Sequence, residues 1–381
     1  MLSSNLRASS KNIRLTRLIC FFWITAKIIC WKLWLSDRLF PIIPVFNFLF
    51  VPSVVHLVLF ILSLIALLSL FAYPTKRTIQ VGIIVIELLS CLLDQNRWQP
   101  WEFQFFFLLL VIIINRGKEK DVFSLFGFIL ASTYFYSGLS KLNPVFVHSV
   151  WHDTIIINLL HVNYNLSYQP LIYHAGYLLG IIEIILSIGL FFQRTKKMVC
   201  VSLIIMHSLI LLMFGPCGIN YDAVIWPWNV GLIILIFILI LNNPGFTISF
   251  QSLMKGSNKL IVLVFGILPL LNLFGYWEYF FSCSLFSCRP PDMYIYIKKS
   301  SGNTALENFS MKDQPLECAN NNTYAIYVRD WAFREMLAPE NPEIRVYKEI
   351  KEQLLKRYQK LDASFITYTY MNGKKVKQEL K

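Results

Sequence analysis

The sequence predicts an all-α polytopic membrane bundle of about nine transmembrane helices, followed by a small C-terminal α+β extramembrane domain. Three observations point there. Hydrophobic residues make up 56% of the 381, and charged residues only 15%, against about 25% in soluble domains. Apolar runs long enough to cross a bilayer recur through the first three quarters of the chain. Beyond residue 281 the pattern changes to short alternating segments, which is the period of strands. The net charge of +13 fits cytoplasmic loops and anionic lipid, and no nucleic-acid partner is expected.

Residues 1–280 are read as the transmembrane domain. Arg7, Lys11, Arg14 and Arg17 precede an apolar run, but no small-residue cleavage site follows, so Leu15–Leu35 is expected as a retained first helix. Its Lys27 and Lys32, with Trp23, Trp31 and Trp34, also suit a helix lying in the interface. Arg38–Pro52 is an aromatic link, with His56 expected at the interface just beyond it. Further spans are expected at Val54–Tyr73, Ile79–Leu93, Glu102–Asn115, Val122–Lys141, Leu171–Gln193, Met198–Phe214, Ile225–Leu241 and Leu260–Tyr279. Lysine and arginine fall in alternate links: Lys76 and Arg77; Arg116, Lys118 and Lys120; Arg194, Lys196 and Lys197; Lys255 and Lys259. Positive charge stays inside, so the amino terminus is expected in the cytoplasm and the tail outside. The membrane is expected to be a bacterial inner (plasma) membrane.

Residues 281–381 form the second expected domain. Met293–Ile297 and Tyr324–Val328 alternate as strands, Pro342–Leu361 carries apolar residues at helical spacing, and Phe365–Met371 opens a hairpin through Asn372-Gly373. Cys283, Cys288 and Cys318 fall on the outer side, where a disulfide can persist; sequence does not give its pairing.

The chemistry gathers around Lys141. A lysine at mid-bilayer costs about 2.5–3.5 kcal/mol on insertion scales, and Lys141 ends an apolar helix just before Asn143-Pro144, a dipeptide that stops helices. Tyr134, Ser137 and Gly138 share its helical face. The outer link that follows has no lysine or arginine but holds Asn143, His148, Trp151, His152, Asp153 and His161. Two more intramembrane ionisable residues, Glu183 and His207, are functional candidates by default, with an interhelical hydrogen bond as the plainer role. The same holds with less weight for Glu87. Lys141, His207 and Glu183 are therefore the expected catalytic residues, and Tyr134, Ser137, Asn143, His148, Trp151 and His152 the expected substrate pocket. His148, His152 and His161 lack a signature such as HExxH, so no metal is expected. Gly176 and Gly180 make a small-xxx-small pair suited to close helix contact.

The stretch SGLSKLNPVFVHSVW resembles the helix-end motif of the horizontally transferred transmembrane (HTTM) domain of vitamin K-dependent γ-carboxylases. The order of the following spans, one with Glu183 and one with His207, is similar too, and DQNRWQPWEFQ resembles a link of related DoxX-like membrane proteins. Ser140 stands where that family has a second lysine, and the outer part is far shorter than the one that engages carboxylation substrates. The resemblance implies a quinone or quinol as cofactor, with Lys141 as the base that deprotonates it. The function expected is thus a quinone-linked redox or carboxylase-like membrane enzyme. The alternative is a non-catalytic scaffold whose outer domain binds a protein partner, with membrane lipids around the bundle in either case.

Overall fold

The computed structural model describes residues 10–380 apart from 221, 244, 285, 286, 288, 302, 303, 316, 317, 319–321, 372 and 373. It is mostly helical, with one small antiparallel sheet. Four helices are long and apolar enough to cross a membrane: α2 (Ser53–Ala72), α5 (Glu119–Lys141), α6 (Pro170–Gly189) and α7 (Lys196–Phe214). Five more occupy the other expected spans. They are α1 (Ser10–Ile29) and α3 (Arg77–Leu93), with the shorter apolar helices α4 (Pro100–Ile114), α8 (Ile225–Leu241) and α9 (Asn258–Phe274). Pro100 starts α4, where its fixed φ suits the first helical turn and its missing N–H is not needed. Asn143-Pro144 closes α5 as expected, and the chain re-enters as a π-helix over Phe146–Leu159.

The first helix departs from expectation. It ends at Ile29, six residues early, and Trp31–Trp34 form a single tight turn. Lys27 does not reach the interface. Its side chain is fully buried, with Nζ 2.7 Å from Glu87 Oε2 and 3.8 Å from Glu102 Oε2. The same nitrogen lies 3.1 Å from the centre of the Trp34 ring. Ser63 Oγ donates to Glu87, and Trp23 Nε1 donates to Glu102 Oε2 at 2.6 Å. An ammonium cannot enter hydrocarbon alone, so α1, α2, α3 and α4 are assembled around this lysine. His56 is also corrected: it is 2% exposed and its Nδ1 lies 2.9 Å from Arg97. A guanidinium only donates, so that imidazole nitrogen accepts. Arg97, itself buried, spends its other protons on the Leu33, Trp34 and Ser90 carbonyls.

The tail is a four-stranded antiparallel sheet of order β2-β1-β3-β4, with β1 Asp292–Lys298, β2 Thr323–Tyr327, β3 Ala363–Met371 and β4 Lys374–Glu379. Alternation buries Met293, Ile295 and Ile297 on one face. The helix α10 (Val328–Met336), which the sequence did not announce, buries Trp331, and α11 (Ile344–Arg357) buries Val346, Tyr347, Ile350 and Leu354. The expected Asn372-Gly373 turn and Cys288 lie outside the described residues. Cys283 and Cys318 are free thiols, so no disulfide joins them.

The tail sits on two links of the bundle. Glu335 accepts the backbone N–H groups of Leu39 and Phe40, and the Phe40 and Trp331 rings pack 4.8 Å apart. Gln99 Nε2 donates to Pro339 O at 2.9 Å, and Gln353 Nε2 donates to Ile42 O at 2.7 Å. The chain entering the tail is fixed by Glu278, which binds Arg345, and by Glu343, whose Oε1 accepts Tyr279 N–H at 2.8 Å.

Two outcomes follow. Lys27→Met leaves two buried carboxylates without a counter-charge and is expected to cost about 3–5 kcal/mol. A thermal melt in detergent should show the loss, partly recovered in Lys27→Met/Glu87→Met. Burial, with Glu278 alongside, pushes the Glu343 carboxyl from 4.5 up to about 7. The folded tail therefore keeps a proton that the unfolded chain has released, and this contribution to stability is lost as pH rises through about 7. Melting at pH 5.5 and 8.5 should differ less in Glu343→Gln than in the wild type.

Candidate functional site

The site begins with a close helix crossing. A Cβ on Gly138 of α5 would meet Gly180 O at 2.5 Å, and one on Gly180 of α6 would meet Gly138 O at 2.7 Å. Only hydrogen fits at either point, so the two backbones touch as the small-residue pattern predicts. Gly176, one turn earlier on α6, takes the Trp151 ring of the π-helix, with a Cβ there only 2.7 Å from the indole.

One turn beyond Gly138, Lys141 reaches across the crossing to Glu183, three residues on from Gly180. Its Nζ lies 2.9 Å and 2.8 Å from the two carboxylate oxygens. Ser137 Oγ accepts from the same nitrogen. The Lys141 and Glu183 side chains are only 12% and 10% exposed. A pair so enclosed is held apart from water, and each partner offsets the desolvation of the other.

A second polar pair faces the same space. Asn229 Nδ2 donates to Ile225 O at 2.6 Å, which leaves its Oδ1, 2.6 Å from His207 Nδ1, as acceptor. His207 Nδ1 therefore carries the proton, and its Nε2 accepts from the Tyr134 hydroxyl at 2.7 Å. His207 is 3% exposed and Tyr134 likewise.

Both pairs line one cavity of about 620 Å³. Its walls are otherwise mainly aliphatic and aromatic, with Phe146, Trp151, Phe214 and Trp228 among them. Volume, apolar lining and a few convergent polar groups are what small-molecule sites share. A second cavity of about 350 Å³ lies under the tail, and Val150, Phe214, Ile225 and Trp228 line both.

Six of the nine residues singled out from the sequence meet in the larger cavity: Lys141, Glu183, His207, Tyr134, Ser137 and Trp151. Three are placed elsewhere. Asn143 caps the π-helix, its Oδ1 taking the Phe146 N–H at 2.9 Å, and its Nδ2 ties the Ser140 and Ser287 carbonyls. His148 and His152 stack with ring centres 5.8 Å apart beside Asp153, and neither is among the cavity residues. Asn229 was missed. Its signal was a lone asparagine beside tryptophan in an apolar span, IWPWNVGLIILI.

No protein-family model matches the chain, and no curated protein or solved structure matches it either.

Gly138→Ala forces a methyl into a backbone carbonyl that cannot swing aside. It is expected to lower stability by about 1–3 kcal/mol and to part Lys141 from Glu183. A melt checks the first effect. The Glu183 carboxylate band in difference infrared spectra of Glu183→Gln against its parent, in each background, checks the second.

Proposed function

We propose that the chain is an integral membrane protein of nine crossings that binds a lipid-soluble quinone or quinol and moves its proton, as a quinone-linked redox enzyme does. One observation carries this: two hydrogen-bonded pairs able to pass protons face a single apolar cavity large enough for a planar ring and part of its chain. The nine crossings are supported by what meets at the tail. The links around Leu39 and Gln99 and residues Asp222 and Trp228 all adjoin it, as an even number of crossings between them requires. Lysine and arginine gather in the remaining links, which supports a tail on the outer face of a plasma membrane.

The chemistry asked of the chain is modest. Lys141 Nζ donates to both Glu183 oxygens, at 2.9 and 2.8 Å, and a proton moving along either bond would turn the ion pair into a neutral amine beside a neutral acid. In a low dielectric the ionic form gains Coulomb attraction and the neutral form escapes desolvation. In the neutral form the Lys141 lone pair takes a hydroxyl proton from the ligand. The new ammonium then sits against the charge it has created, and the net charge of the cavity is unchanged. Tyr134 gives its own proton to His207 and keeps its oxygen lone pairs free to orient a second hydroxyl. A flat ring fits between the Trp151, Trp228 and Phe146 side chains that line the space. The quinone or quinol supplies the electron-carrying ring; the chain supplies binding, orientation and the proton path.

Extraction of protein purified from membranes tests the reading. Wild type is expected to retain quinone, and Lys141→Ala to lose at least tenfold of it while its melt still shows a folded bundle. Tyr134→Phe removes the oxygen that orients the second hydroxyl and should weaken quinone retention by about threefold to tenfold. Equal quinone in wild type and Lys141→Ala would remove Lys141 from any base role and favour a scaffold whose tail binds a partner.

A further inference from the structure

The π-helix that walls the cavity carries a second constellation on its other side. Its i→i+5 winding, seen in the Leu160 N–H bonding Ile155 O at 2.9 Å, brings residue i between i+4 and i+5. His148, His152 and Asp153 therefore share one face, which an α-helix would not give them. The Asp153 carboxylate lies between the two rings: Oδ1 is 2.7 Å from His152 Nδ1, and Oδ2 is 3.8 Å from His148 Nε2. One ligand atom from each residue falls within 4.8 Å of the others.

The hydrogen bonds around His152 decide which of its nitrogens serves this face. Ser167 Oγ donates to Tyr164 O at 2.6 Å. Its single proton is spent there, so at the 2.9 Å contact with His152 Nε2 the serine accepts and the imidazole donates. The other ring nitrogen, Nδ1, is the one that faces the Asp153 carboxylate, 2.7 Å away, so it is the His152 atom placed to serve as a ligand beside that oxygen. The Tyr168 ring, its centre 4.2 Å from that of His152, adds an electron-rich surface beside it.

We propose that His148 Nε2, His152 Nδ1 and the Asp153 carboxylate bind one zinc-type divalent transition metal, with the fourth position open to solvent. Two imidazoles and a carboxylate are a zinc ligand set, and three protein ligands leave the remaining tetrahedral position to water. The Ser167 bond to the far nitrogen of His152 is the outer partner that fixes a ligating imidazole in tautomer and orientation. His148 and Asp153 are about half exposed, so the ion has an entry path. The inner side of the same helix supplies Val150, Trp151 and Ile155 to the cavity, and the ion braces that wall from outside. The proposal stands apart from the quinone reading, since none of the three ligands lines the cavity.

The test uses the full-length protein in detergent, stripped with chelator and then given Zn²⁺ at pH 7.5. Wild type is expected to hold about one equivalent after desalting, measured by elemental analysis, with His148→Ala and Asp153→Asn each at background. His148 is exposed, so its replacement leaves the fold intact, and a melt confirms that. Ser167→Ala should weaken binding by about 10–100-fold. Co²⁺ in place of zinc should give ligand-field bands without thiolate charge transfer, and His161→Ala and Cys217→Ser should keep the metal. Zinc absent from the wild type would overturn the proposal. So would zinc that is retained by His148→Ala or lost from His161→Ala or Cys217→Ser.

Discussion

Charge inside an apolar bundle must be answered by charge on another helix, and much of this architecture follows from that rule. Lys27 of α1 meets Glu87 of α3 and Glu102 of α4. Lys141 of α5 meets Glu183 of α6. Each lysine would be costly alone, so its helix is held beside the helices that carry the answering carboxylates, and in one register. The two centres differ in surroundings. Lys27 is closed off by Trp23, Trp34 and Ser63, whereas Lys141 faces a cavity. The first has the form of a structural knot and the second that of a site.

Much of the arrangement was legible from residue order. Helix ends at Asn143-Pro144, strands at Met293–Ile297 and Tyr324–Val328, and the Gly176/Gly180 contact can all be read locally, because each depends on backbone sterics or period. The convergence of Tyr134, Lys141, Glu183 and His207 was also foreshadowed, since polar groups in apolar spans turn toward one another. What could not be read were partners far apart in sequence. Nothing local tells that Lys27 faces Glu87 and not the headgroups, or that His56 accepts from Arg97. The tryptophans flanking Lys27 favour an interfacial helix until tertiary pairing overrides them. His148 and His152 were assigned to the pocket because they lie in the outer link that gathers histidine and tryptophan beyond Lys141. The π-helical winding turns them to the opposite side of the helix, and no residue pattern announces it.

The tail is held by side-chain hydrogen bonds to main-chain groups: Glu335 accepts from Leu39 and Phe40 N–H, Gln353 donates to Ile42 O, and Gln99 of the bundle donates to Pro339 O of the tail. Main-chain partners survive substitution of the residues that bear them. The tail also roofs the smaller cavity, to which it contributes Asp292, Arg329, Phe333 and Glu340. Burial pushes the Glu340 carboxyl up, while the carboxylates around Arg329 hold its guanidinium in the charged form.

The contact of Gly138 with Gly180 sets how far apart α5 and α6 run, and through them how far Lys141 stands from Glu183. That spacing is fixed by two absent side chains, not by the groups that form the ion pair. Evolution can then redecorate every apolar wall of the chamber and change what it admits, while the amine and the acid keep their separation.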